Sequence, residues 1–372
     1  MPSATVPQAL FSPIKVGNHQ LQHRVVLAPL TRFRATLDAV PTDLQVEYYT
    51  QRATEGGLLI SEATFIDRMA GGYLKAPGIY TQDQIEGWKK VTAAVHAKKA
   101  TMFLQLWHIG RAGADYLNPN FEPPVSASDI PIVTGKNLTG GDYGFPRALE
   151  IPEIKMIVEQ YRQAALNAIE AGFDGVEIHS ANGYLLDQFI NTSSNKRTDM
   201  YGGSIPNRAR FSLEVLDAVV EAVGVERTAI RFSPGEDWQD MQDDTVVETW
   251  SYLTSQIQAK YPDLSYLHFI QARANINKTD NYVAPAHGLD AYRQIWKGPF
   301  ISSSGFSTSR QEAFDIAEST GNLISFGRAF ISNPDLPARL LNGWELTKYD
   351  RTTFYTDGPE GYTDYPAYNS KN

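Results

Sequence analysis

An eight-stranded (β/α)8 TIM barrel of the α/β class is the fold this chain predicts, and three observations predict it. Eight short apolar runs read as buried parallel strands. Amphipathic segments of helical period lie between most of them, as parallel strands require. No Gly-x-Gly-x-x-Gly follows any run, which weakens a doubly wound dinucleotide-binding sheet.

In chain order the strands are 24–28 (RVVLA), 58–62 (LLISE), 101–105 (TMFLQ), 175–179 (GVEIH), 229–232 (AIRF), 266–269 (YLHF), 300–303 (FISS) and 323–326 (LISF). Roughly 70 residues separate the third from the fourth. Within them, 110–149 is rich in Gly, Pro, Asn and Asp without a clear period, and it reads as an inserted lid or capping segment. A helix is expected over 153–171, where Ile154, Ile157, Val158, Tyr161, Ala165 and Ala168 keep helical spacing. Another is expected over 207–223, with Phe211, Val215, Val219 and Val223 in one i, i+4 row. Ser204 stands as its N-cap and Pro206 in its first turn. The tyrosine-rich segment 349–368 reads as an ordered tail across the barrel, and the whole chain as one domain.

Composition narrows the function. Hydrophobic residues make up 42%, charged residues 20%, and the net charge is -9 with no basic run, which argues against nucleic acid or an anionic membrane as partner. There is no cysteine, so thiolate catalysis and cysteine-based metal sites are excluded, and no metal is expected. No secretion signal or run of ~18 apolar residues is present, which fits a cytoplasmic protein, and a monomer or homodimer is expected.

A barrel of this kind works at the C-terminal ends of its strands. Those ends present Pro29-Leu30-Thr31-Arg32, Glu62-Ala63-Thr64, Gln105-Leu106-Trp107-His108, His179, Arg231, Ser303-Ser304-Gly305 and Gly327-Arg328. Small residues after strand seven and Gly-Arg after strand eight suit a phosphate, held by backbone N–H groups and a guanidinium. An ordinary turn at Gly305 and a surface charge at Arg328 would look the same. In HSANGYLLDQF (179–189) His179, Asn182 and Tyr184 share no face of a helix or a strand. They converge only if a strand ends, turns and starts a helix between them, with Leu185, Leu186 and Phe189 packed inward. His and Asn can then donate hydrogen bonds to a carbonyl, and Tyr a proton. A structural histidine beside an Asn-Gly turn is the plainer reading of the same letters.

HSANGYLLDQF followed by NKRTDMYGGSIPNRARF resembles the Old Yellow Enzyme family of flavin-dependent ene-reductases. The similarity continues in LAPLTRFRA, FLQLWHIGRA, FGRAFISNPDL, KYDRTTFY and GYTDYP, and looks closest to fungal members. The resemblance implies tightly but non-covalently bound FMN, with NADPH or NADH as reductant. Pro29, Leu30, Thr31 and Ala63 would lie against the flavin. Gln105 and Arg231 would hold its pyrimidine side, and Ser304, Gly305, Gly327 and Arg328 its phosphate. Phe354 and Tyr355 would reach the flavin and the substrate from the tail. His179 and Asn182 would bind the carbonyl oxygen of an α,β-unsaturated substrate, with Tyr184 as proton donor and Tyr73, Trp107 and Trp238 shaping the pocket. The implied chemistry is ping-pong: hydride passes from NAD(P)H to flavin N5 and on to the β-carbon of an enone or nitroalkene, and Tyr184 protonates the α-carbon.

Two departures stand out, Ser304 and Ala63, both where family members carry glycine. Other functions compete. An isomerase or reductase of one specialised metabolite would share this site. A flavin-free hydrolase would use Glu62 and Glu177 as a carboxylate pair. A module that only stores FMN would not need His179, Asn182 and Tyr184 together. The loops 110–149 and 272–288, expected to select substrate, carry no readable motif.

Overall fold

The computed structural model describes residues 8–272 and 288–368. The loop 272–288 therefore lies almost wholly outside the described residues. Eight parallel strands form the barrel: β1 (Val25–Leu27), β2 (Leu58–Ile60), β3 (Thr101–Trp107), β4 (Gly175–Ser180), β5 (Thr228–Phe232), β6 (Tyr266–Ile270), β7 (Phe300–Ser303) and β8 (Leu323–Phe326). Closure is direct, because Val26 lies beside Leu58, Leu58 beside Thr101, and Val25 beside Ile324. The strand pair Thr64–Phe65 continues beside the upper end of β3, next to Leu106 and Trp107.

All eight expected strands are present, and β3 runs two residues further than expected, to Trp107. Helices α1 (Asp43–Arg52), α2 (Gln82–His96), α3 (Ile151–Glu170), α4 (Leu185–Ile190), α5 (Ile205–Val223), α6 (Val246–Lys260), α7 (Asp290–Ile295), α8 (Arg310–Thr320), α9 (Arg328–Ser332) and α10 (Leu336–Asn342) complete the framework. On α5 the row Phe211, Val215 and Val219 is buried. Ser204 does precede that helix, but its exposed side chain makes no capping bond. In 110–149 the chain forms three short 3-10 turns and a two-residue ribbon, Val125–Ser126 against Arg147–Ala148.

Side chains on alternate strand positions face opposite sides of the barrel wall. One set packs outward: Leu59, Leu104, Val176, Ile230 and Phe269 join the helices in a large apolar cluster. The inward set begins apolar, with Val26, Leu58, Phe103, Ala229, Tyr266, Ile301 and Leu323 in a second cluster. An N-terminal hairpin, Ile14–Val16 paired with His19–Leu21, adds Val16 and Leu21 to that cluster and seals the N-terminal face of the barrel. Two residues further along four of the strands the interior turns polar. Gln105 follows Phe103, Arg231 follows Ala229, His268 follows Tyr266 and Ser325 follows Leu323, all of them buried. The barrel therefore has an apolar floor, a polar middle layer and a mouth.

Candidate active site

Strand β4 ends at Ser180, one residue past His179, and the chain then turns through Asn182 (φ 57°) and Gly183 (φ 75°). Both conformations are left-handed, which Asn tolerates and Gly adopts freely. A side chain at Gly183 would also stand 2.9 Å from Met241 Cγ and 3.0 Å from the Trp238 carbonyl oxygen. Tyr184 is the residue before α4, as the strand–turn–helix reading requires. Hydrogen bonds fix the turn, among them Asn182 N donating to Ser233 Oγ at 2.7 Å, Gly183 N to Asp187 Oδ2 at 2.9 Å, Gln188 Nε2 to the Gly183 carbonyl at 2.7 Å, and Leu185 N to the His108 carbonyl at 3.1 Å. Leu185, Leu186 and Phe189 are fully buried.

The turn brings His179, Asn182 and Tyr184 to one cavity at the barrel mouth. Pro29, Leu30, Thr31, Ala63, Gln105, Trp107, Arg231, Trp238, Arg328, Phe354 and Tyr355 share its wall. Ser304, Gly305 and Gly327 line an adjoining hollow, which Pro29, Leu30, Arg231 and Arg328 also border. Tyr73 does not reach the cavity. It packs behind the wall, its ring 5.9 Å from that of Trp107, and donates its hydroxyl to the Ala112 carbonyl at 2.5 Å. Its size suits a core position between the barrel and 110–149. Arg32, Leu138, Glu236, Ile331 and Arg351 also line the cavity, and sequence reasoning gave them no role there.

Packing holds the reactive groups in place. The Tyr184 ring meets Trp107 edge-on at 5.0 Å and His179 edge-on at 5.0 Å. Burial raises the Tyr184 phenol above its ordinary range, so it keeps its proton at neutral pH. Burial, reinforced by the Arg231 cation, holds His179 well below the usual imidazole range. At pH 7 His179 is thus neutral, and a ligand beside it would meet an imidazole hydrogen bond without a full charge. Gln105 is anchored in place, donating from Nε2 to Glu177 Oε1 at 2.7 Å.

Among the described residues, five buried polar atoms around these hollows have no hydrogen-bond partner in the protein: Arg231 Nε, His179 Nδ1, Trp107 Nε1, Ser304 Oγ and Arg32 Nη1. Such groups cost ~1–3 kcal/mol each when left unmet, so a polar ligand is expected to meet them. At Gly327 an added Cβ would come within 3.2 Å of Leu30 Cδ2, so the bare backbone keeps Leu30 in place at the cavity edge. Ser304 is outside the left-handed region, so its side chain is unstrained. Hydroxyl, amide edge and guanidinium match the phosphate and pyrimidine of FMN. Helix dipoles add little, since α9 is only five residues long and its Ala329 N–H is taken by Ser307 Oγ at 2.9 Å.

The tail is held by arginines on the segment after β1. Arg32 donates from Nε to the Phe354 carbonyl at 3.1 Å and from Nη2 to the Gly361 carbonyl at 2.7 Å. Arg34 reaches the carbonyls of Thr353 (3.1 Å), Phe354 (3.0 Å), Gly358 (3.2 Å) and Glu360 (3.1 Å), and Thr356 Oγ1 at 3.0 Å. These bonds carry Phe354 and Tyr355 to the cavity. Glu62 and Glu177 are 1% and 0% exposed and neither lines the cavity, so the carboxylate pair of a hydrolase has no access to a substrate. Among the described residues no cluster of His, Asp and Glu is suited to a metal ion.

Comparison with known proteins agrees with this geometry. The sequence profile of the NADH:flavin oxidoreductase / NADH oxidase family matches residues 9–347. The chain is 48% identical to 12-oxophytodienoate reductase 1 of Oryza sativa subsp. japonica over 366 residues, 98% of this chain and 94% of the relative. It is equally 48% identical to flavin oxidoreductase hxnT of Emericella nidulans, over 98% of this chain and 99% of the relative, so plant and fungal relatives match alike. Among solved structures, morphinone reductase superposes with a TM-score of 0.90 at 41% identity, covering 100% of this chain and 98% of its own. Its complex with tetrahydroNAD scores 0.88 at 43% identity, covering 97% of this chain and 98% of its own.

Proposed function

Since this chain belongs to the Old Yellow Enzyme family of NADH:flavin oxidoreductases, we propose that it reduces the activated C=C bond of α,β-unsaturated carbonyl or nitro compounds at the mouth of its barrel. It is an FMN-dependent enzyme that uses NAD(P)H. When bound, FMN supplies the hydride relay between NAD(P)H and the substrate β-carbon. The observation that carries the reading is the meeting of His179, Asn182 and Tyr184 with Gln105 and Arg231 on one cavity.

The roles follow from the chemistry of each side chain. His179 and Asn182 donate to the substrate oxygen and stabilise the charge that develops there. Tyr184, held protonated, gives its proton to the α-carbon. Gln105 and Arg231 hold the pyrimidine edge, and Arg231 favours negative charge beside it. Ser304, Gly305 and Arg328 hold the phosphate, with Gly327 keeping the approach open. Trp107 and Trp238 wall the substrate space, and Tyr355, 48% exposed, closes its outer side. Either NADPH or NADH serves as reductant in this reading, since both need only stack on the flavin. No described helix is long and apolar enough to cross a membrane, and a cytoplasmic location is part of the proposal.

The test is optical. The purified protein should be yellow, bleach anaerobically under NADPH, and regain its absorbance when cyclohexenone or a nitroalkene is added. A colourless protein that takes up no added FMN overturns the reading. A flavin that bleaches but is never reoxidised by any enone, enal or nitroalkene reduces it to an FMN store.

A further inference from the structure

Barrels of this class normally fill their interior with branched aliphatic layers. Here the layer beneath the cavity holds a carboxylate, Glu177, with no exposed surface. Its Oε2 faces His268 Nδ1 at 2.8 Å and its Oε1 accepts from Gln105 Nε2 at 2.7 Å. His268 Nε2 in turn meets Ser325 Oγ at 3.2 Å. A buried carboxylate is costly unless it is paired and hydrogen-bonded, and an apolar side chain would fill the space more cheaply. Packing alone therefore does not account for it.

Its neighbours suggest what it does. Gln105 and Arg231 border the cavity, and Glu177 lies behind its wall, level with Gln105 across β3 and β4 and two residues short of Arg231 across β4 and β5. Arg231 stands on β5 beside His179, and Glu177 favours its charge against the penalty of burial. Burial lowers the basicity of His268 despite the carboxylate, so the layer carries one fixed positive charge, Arg231, and one fixed negative charge, Glu177. A carboxylate can only accept hydrogen bonds, so Gln105 must turn its amide nitrogen toward it, and the sense of the Gln105 amide is set by Glu177.

We propose that Glu177 sets the reduction potential of the bound flavin: its negative charge offsets Arg231, so electrons placed on the cofactor are held less tightly and are passed on to the substrate more readily. This rests on the FMN reading above. The reaction itself is unchanged, with one hydride arriving from NAD(P)H and one leaving to the β-carbon. Glu177 is a positioning residue, acting through Gln105 and Arg231.

The experiment measures the midpoint potential of the purified holoenzyme by dye equilibration, with FMN content read from absorbance. Glu177→Gln removes the charge and keeps the shape. Its potential should rise by about 30 mV, a tenfold change in the equilibrium constant of a two-electron couple. Reduction by NADPH should then quicken and reoxidation by cyclohexenone slow. His268→Leu strips the donor and drives the buried carboxyl to its neutral acid, so it should raise the potential too. His268→Asn keeps both a donor and the charge, and should leave the potential near that of the parent.

A Glu177→Gln holoenzyme with an unmoved potential overturns the inference while the functional reading stands. Should that variant hold no FMN, His268→Leu decides: a rise supports the inference and an unmoved potential overturns it. A rise in His268→Asn as large as that in Glu177→Gln assigns the effect to packing and also overturns it. A parent that binds no FMN overturns the functional reading and the inference together.

Discussion

Replacing Arg34 by methionine tests how the tail is held at the active site. The substitution keeps most of the side-chain volume and removes the guanidinium. That group makes five bonds to the tail, at Thr353, Phe354, Thr356, Gly358 and Glu360, and lies 4.8 Å from the centre of the Tyr362 ring. Burial and the neighbouring Arg32 lower its basicity to about 10, so it is still charged at pH 7. Bonds to a charged donor contribute ~1.5–3 kcal/mol each. Their sum overstates the effect, because a tail that loses them can lift away and return its carbonyls to water. Arg32 also still holds Phe354 and Gly361. A net loss of about 3 kcal/mol is expected, which raises the population of the lifted tail roughly 100-fold. Hydrogen exchange read peptide by peptide measures this directly: protection over 353–362 should fall by that factor while β4 and β5 keep theirs. FMN should dissociate faster, because Phe354 leaves the cavity wall. Unchanged protection in the tail would refute the latch.

Tyr184→Phe keeps the ring packed on Trp107 and His179 and removes the hydroxyl that would give the proton, so enone turnover should fall about 10²–10⁴-fold in stopped flow while bleaching by NADPH keeps its rate. Unchanged enone turnover would acquit Tyr184 as the donor. Ser304→Gly removes a hydroxyl that has no protein partner, and titration should show FMN bound roughly tenfold more weakly, the value of one bond to a charged group. Glu62 is shifted by burial from 4.5 to about 7. The folded carboxyl keeps its proton up to about pH 7 while the unfolded one releases it near 4.5, so the folded state binds more protons in between and stability falls as pH rises. Urea unfolding of Glu62→Gln should lack ~3 kcal/mol of the fall that the parent shows across that window, and identical slopes would sink this assignment.

Local pattern made much of this legible. A continuous apolar run marks a strand covered on both faces, and the rule that such barrels work at strand ends turned the strand list into a cavity list. His179, Asn182 and Tyr184 were readable because their spacing demanded a change of conformation that the Asn-Gly step supplies. What stayed hidden depends on partners far away in sequence. Arg32 and Arg34 look like surface charges until a tail more than 300 residues later offers its carbonyls. Tyr73 is aromatic and near the site in sequence order, but its hydroxyl is claimed by Ala112. Glu177 was visible as a residue and misleading as a role. Beside His179 it suggests catalysis, and only the closed ring of strands puts it under the cavity beside His268.

The hairpin stopper at the N-terminal face has a consequence for traffic. With Val16 and Leu21 seated among Val26, Leu58 and Phe103, the floor offers no passage. Whatever enters by the mouth must leave by the mouth. A spent nicotinamide and an incoming enone then compete for one doorway, and the first has to be gone before the second can approach. Excess NADPH should therefore inhibit as a guest that overstays, and the taking of turns belongs as much to the architecture of the vessel as to the chemistry inside it.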